Sequence, residues 1–200
     1  MITDPAALRA LYGQPHPAAV KKVGDRLDDA ALAFLRASPF VLIATTDGAR
    51  LDVSPKGDAP GFVQADGDRA VLIPDWPGNN RIDGLLNICS HPRAGLIFLV
   101  PTVRETLRIN GPATIHDEED VRARFARDGR LPITVLRVET EEVFAHCAKA
   151  LMRSRLWDPE SWPEARPVPT MPEMLRAIMG RGARDETEAD MLGRYAKTLY

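Results

Sequence analysis

Three basic side chains, Arg50, Lys56 and Arg81, are the residues whose types and placement could do chemistry together. Arg50 and Lys56 stand six apart in an alternating run, so on a strand they share a face. Arg81 follows Asn79-Asn80 at the expected start of a helix, where unpaired backbone N–H groups already favour an anion. A cation there is locally unfavourable unless an anion binds both groups, and a phosphate dianion meets that condition. Periodicity by itself fits three solvated surface charges better, with Asn79 as a plain helix cap.

The elements that must position these residues are short. Asp4-Pro5 opens a helix to Tyr12, and Asp28 or Asp29 caps a second one that ends at Ser38-Pro39. Phe40–Thr46 is an unbroken apolar and β-branched run, which predicts a buried strand. Asp47-Gly48 is a tight-hairpin signal, with residues 50–56 as the partner strand and Pro55 marking an edge or bulge. Residues 61–64 and 69–74 form a second hairpin. Residues 79–88 read as a helix with Ile82, Leu85, Leu86 and Cys89 on one face. Residues 94–100 and 106–115 pair as strands, 117–127 form a charged helix, and 133–144 form one long strand. The tail is basic from Cys147 to Arg155, Pro-rich to Pro172, then helical over 172–179 and 186–199. The stripe Met174, Leu175, Ile178, Met179 reads as packing against the body of the protein or a second subunit. The expectation is a mainly β fold with peripheral helices: an N-terminal helical segment over 1–38, a barrel of six to seven antiparallel strands over 39–146, and a C-terminal extension over 147–200.

Composition limits the functions. Of 200 residues 44% are hydrophobic, enough for a real core. Twenty-six basic against 28 acidic residues leave a formal charge of −2, which argues against nucleic-acid binding. No apolar run is long enough to cross a membrane, and the N-terminus has no signal-peptide pattern. Two cysteines, Cys89 and Cys147, make no disulfide framework, so a cytoplasmic setting is expected. His146 and Cys147, adjacent on a strand, would point to opposite faces, and no metal site is expected.

The ordered combination of Phe40–Asp58, Ala70–Asp83 and Glu105–Ile115 resembles the pyridoxamine 5′-phosphate oxidase-like, FMN-binding split β-barrel proteins. The resemblance covers residues 34–144 and continues into the tail, where residues 147–159 are similar to the ending of one uncharacterised branch. It implies a dimeric split barrel. It implies that Arg50, Val53, Ser54 and Lys56 contact the flavin ring and phosphate, that Leu72, Ile73 and Pro74 run under the ring, and that Asn79, Asn80 and Arg81 form the phosphate-binding turn. Arg108, Asn110 and Gly111 would meet the partner subunit, and Arg155 and Trp157 would reach its flavin. True pyridoxamine phosphate oxidases carry Ser-Arg-Lys where this chain has Asn79-Asn80-Arg81, so a different substrate is expected. The resulting expectation is an FMN-dependent oxidoreductase acting on a small organic substrate as a homodimer, with Lys56 also a candidate for the flavin's pyrimidine edge and no protein acid or base required. The rivals are a flavin-storing or sensing protein without turnover, and a split barrel that holds haem or a deazaflavin.

Overall fold

Strand β1 (Phe40–Thr46) sits between β2 (Leu51–Gly57) and β5 (Arg93–Leu99), and this trio builds one half of the fold. The protein is described from a computed structural model over residues 1–198. Strand β6 (Thr106–His116) continues the sheet beyond β5, and the full order is β2-β1-β5-β6-β7-β4-β3, with β8 also paired to β6. Here β3 is Gln64–Ala65, β4 Ala70–Asp75, β7 Thr134–Glu139 and β8 Glu142–His146. Among the described residues no ladder joins β2 to β4 or β3, so the barrel is split along that side. Among the described residues the strands number eight rather than six to seven, because the expected long strand 133–144 is two.

That division has a local cause. Between the pairs Ala113–Val138 and Asn110–Glu142, Gly111 and Pro112 stand opposite Glu139, Thr140 and Glu141. The extra residue is a bulge, and it bends the strand from one half of the barrel into the other. Gly111 is required at the bend: a Cβ there would lie 2.0 Å from the Glu139 carbonyl oxygen. Glu141 N–H donates to Asn110 O at 3.0 Å, and the Thr140 hydroxyl donates to Asp25 O at 2.6 Å, so the polar groups freed by the bulge are satisfied.

The core fills the barrel. Val41, Ile43, Leu96, Phe98, Ile109 and Val138 interdigitate with Ile73 and Leu136. Strand β1 is not buried on both faces as its apolar run suggested: it alternates, with Phe40 and Ala44 exposed on its outer side. Helix α3 (Asp29–Ala37), capped by Asp28, presses Ala31 and Leu35 into the core. Helix α1 (Pro5–Tyr12) has the expected Asp4 cap and buries no residue, as does the short α2 (Pro17–Lys21).

Helix α4 departs from expectation. It runs from Asp83 to Ser90, so residues 79–82 form a loop before it, and its buried residues are Asn87 and Ile88. Ile82 and Leu86 are about half exposed, and Cys89 is exposed. The later start rotates the buried stripe, and Asn87 is taken inside to donate to the Thr45 hydroxyl at 3.1 Å. The charged helix α5 is shorter than 117–127, spanning Glu119–Ala123, and α6 (Lys149–Ser154) forms in the basic stretch, for which no element was expected.

The chain divides into two compact units, residues 1–157 and 158–200. The second holds α7 (Met171–Met179) and α8 (Glu188–Ala196), each started by a Thr capping box, at Thr170 and Thr187. The expected helix over 186–199 ends sooner, and Leu199 lies outside the described residues. Met174, Leu175, Ile178 and Met179 are exposed in this unit, Ile178 to 82%.

Candidate functional site

Period-two alternation turns Asp52, Ser54 and Lys56 of β2 to the inside of the split and Leu51, Val53 and Pro55 to the outside. The inward three form one wall of a cavity of about 510 Å³. Asp75 and the loop 76–82 close its other side, the first turn of α4 covers one end, and Ile43, Ile88 and Leu136 give it an apolar floor. A cavity of this size falls in the roughly 300–1,000 Å³ range of small-molecule and cofactor sites.

The loop into α4 is built around unusual backbone. Asn80 has φ +58° and Ile82 has φ +42°, both left-handed. For a β-branched residue such as Ile82 this is strained, on the order of 1–3 kcal/mol. The Asn79 side chain accepts from Arg81 N–H at 3.0 Å and steadies the turn. No side chain caps α4; Leu85 N–H and Leu86 N–H both donate to Ile82 O at 3.0 Å, so the Asp83 and Gly84 N–H groups are the ones at the helix start without an intrahelical acceptor. Gly84, in that first turn, admits the Asp52 carboxylate: a Cβ on Gly84 would lie 3.0 Å from Asp52 Oδ2. The Ser54 hydroxyl donates to the same Oδ2 at 2.7 Å and orients it.

Two cations enter this space, each with a carboxylate beside it. Lys56 Nζ is ion-paired with Asp75, and both side chains are mostly buried, 27% and 14% exposed. Arg81 Nε pairs with Asp83 at 2.5 Å and is largely open to water. Asp83 holds the Arg81 guanidinium above its ordinary pKa, with a smaller contribution from Asp52. The lining thus carries Asp52, Asp75 and Asp83 against Lys56 and Arg81.

Ser54, Lys56, Asn79, Asn80 and Arg81 are therefore brought together as the sequence suggested. Arg50, Val53, Leu72, Ile73 and Pro74, also expected at the flavin, stand elsewhere. Arg50 lies outside β2 in the exposed 47–50 turn, where its N–H donates to Asp47 Oδ1 at 2.6 Å, so the strand ends before alternation can bring Arg50 to the cavity. Arg81 stands in the loop rather than in the first turn of α4. Val53 faces outward. Leu72 and Ile73 are core residues, and Pro74 lines a second, smaller cavity beside Trp76. Arg108 and Asn110 lie on the outer sheet, the first 5.1 Å from the Phe144 ring and the second donating to Glu142 Oε2 at 2.7 Å. Arg155 ends α6 in a left-handed conformation, and Trp157 Nε1 donates to Val103 O at 2.8 Å. Neither lines this chain's own cavity; both were expected at the partner's flavin.

Asp52, Asp75 and Gly84 are cavity residues that sequence reasoning missed. Asp52 was available from the same alternation that selected Ser54 and Lys56. Asp75 and Gly84 required knowing where β4 ends and α4 begins.

A family model described as pyridoxamine 5′-phosphate oxidase matches residues 27–147. The chain belongs to this family. The match spans the whole barrel and both sides of the cavity, and it stops short of the second compact unit. No curated protein matches the sequence. Among solved structures the chain is similar to HupZ of Group A Streptococcus at 18% identity, TM-score 0.48, over 59% of this chain and 92% of that one. It is also similar to general stress protein 26 of Bacillus anthracis at 7% identity, TM-score 0.46, over 56% and 88%. An FMN-binding protein of Syntrophomonas wolfei is similar at 8% identity, TM-score 0.45, over 71% and 96%. Likeness at this level says nothing of function. Among the described residues no helix is long and apolar enough to cross a membrane, and no group of three potential metal ligands is assembled.

Proposed function

We infer that the protein is an FMN-dependent oxidoreductase acting on a small organic substrate, and that it works as a homodimer. The observation that carries this reading is the meeting of Lys56, Arg81 and the uncapped start of α4 in one cavity with an apolar floor. A phosphate ester needs charged donors and N–H groups, and a flat ring needs an apolar surface beside them. The lining offers both, so the residues present fit FMN. Lys56 and Arg81 hold the phosphate with the N–H groups of the α4 first turn; Ile43, Ile88 and Leu136 keep water from the ring. When bound, FMN supplies the hydride or electron transfer.

The uncovered outer sheet supports the dimer. Leu51 is 84% and Val53 61% exposed, and cross-strand register sets Pro55, Leu42 and Ile97 in one row beside them. An apolar sheet face of this kind marks a protein-binding surface.

Purified protein is expected to be yellow, with the visible absorption of an oxidised flavin, and to release FMN on heating. Colourless protein that also fails to take up added FMN overturns the reading. Arg81→Ala is expected to weaken FMN binding by roughly 1.5–3 kcal/mol, the loss of a charge-assisted phosphate contact. Reduction by NAD(P)H followed by turnover of an organic acceptor or oxygen separates an enzyme from a flavin store.

A further inference from the structure

Both cations of the cavity already have anionic partners within the protein. Lys56 and Asp75 come from strands that share no ladder, β2 and β4, and their ion pair bridges the split of the barrel. The pair is mostly shielded from water, whereas Arg81–Asp83 is exposed. Exposed pairs are screened and contribute little, so Arg81 can change partner at small cost. A shielded pair is different, because a lone charge there would be poorly solvated. A phosphate that enters therefore competes with Asp75 for the Lys56 ammonium, whose charge the carboxylate already neutralises.

We propose that Asp75 is an affinity-determining residue: its carboxylate stands in for the incoming phosphate on Lys56, and ligand binding is an exchange of partners at that ammonium. This rests on the FMN reading for the identity of the ligand, but the exchange applies to any phosphate. Asp75 sets a threshold, since the ligand gains Lys56 only by displacing a carboxylate already there. Asp83 plays the same part for Arg81 with little effect, because that pair is open to solvent.

The test compares wild type with Asp75→Asn and Asp83→Asn by titration with FMN, riboflavin and inorganic phosphate, read by flavin fluorescence and thermal shift. Asp75→Asn is expected to bind FMN roughly tenfold tighter, a change of about 1.4 kcal/mol. Its melting temperature without ligand should be lower and its shift on adding phosphate larger. Asp83→Asn should differ from wild type by less than about twofold, and riboflavin affinity should not follow the FMN gain. Unchanged or weaker FMN binding in Asp75→Asn overturns the proposal, the weaker case making Asp75 a support for Lys56. An equal gain for riboflavin also overturns it, because the exchange would then not involve the phosphate. If no variant takes up flavin, the FMN reading fails by itself. The phosphate shift then decides: larger in Asp75→Asn supports the exchange, equal refutes it.

Discussion

Asp66 shows how single side chains tie the barrel's open half together. It accepts from Arg124 Nη1 at 2.8 Å and Arg137 Nε at 3.2 Å, joining the β3–β4 turn to the segment after α5 and to β7. The Arg124 hydrogen bond, then that of Arg137, holds the Asp66 carboxyl below its ordinary value. A lowered folded pKa means the unfolded state takes up the proton first as pH falls. The stabilisation is complete above the unfolded value, about 3.9, and disappears as pH drops through the lower folded value. Asp66→Asn should therefore cost stability at neutral pH, and the gap to wild type should narrow below about pH 4, measured as urea midpoints across pH. The same scale explains which site residues were legible. Asp52, Ser54 and Lys56 follow from alternation alone, and Asn79–Arg81 from turn chemistry. Arg50 was misplaced because alternation was carried one residue past the end of the strand, where Asp47 reorganises the backbone.

At the scale of elements, α4 and the β6 bend decide the site's shape. Ile82 holds a left-handed conformation with its side chain half exposed, so Ile82→Gly should relieve strain and stabilise the protein by about 1 kcal/mol in chemical denaturation. The same change loosens the loop that presents Arg81, and FMN affinity should fall although stability rises. Gly111→Ala has no such compensation. The new methyl would strike the Glu139 carbonyl, and a loss of more than about 3 kcal/mol is expected, read by thermal or urea unfolding. Helices α1, α3 and α7 were legible because their starts carry Asp-Pro, Asp-Asp and Thr-x-x-Glu signals. The start of α4 was not, since no capping side chain marks it and the residues before it are strained. The division of 133–144 into β7 and β8 was hidden for another reason: the bulge is dictated by Gly111 on the neighbouring strand, distant in sequence.

At the scale of the whole molecule, residues 1–157 have a core of their own, and the family match lies inside them. The uncovered sheet gives the assembly prediction. Val53→Glu places a charge in the middle of the apolar outer face without touching the cavity wall, so it should convert the proposed dimer to a monomer by light scattering while leaving the circular dichroism spectrum unchanged.

Leaving a barrel unzipped creates a hazard as well as a pocket. The free margin of β2 is a row of backbone groups that could template a foreign strand and start a fibril. Pro55 sits within that margin, and its lack of an N–H interrupts the row without costing the pairing to β1. The opening thus leaves room for a small molecule, and its proline weakens the edge as a template for a further strand.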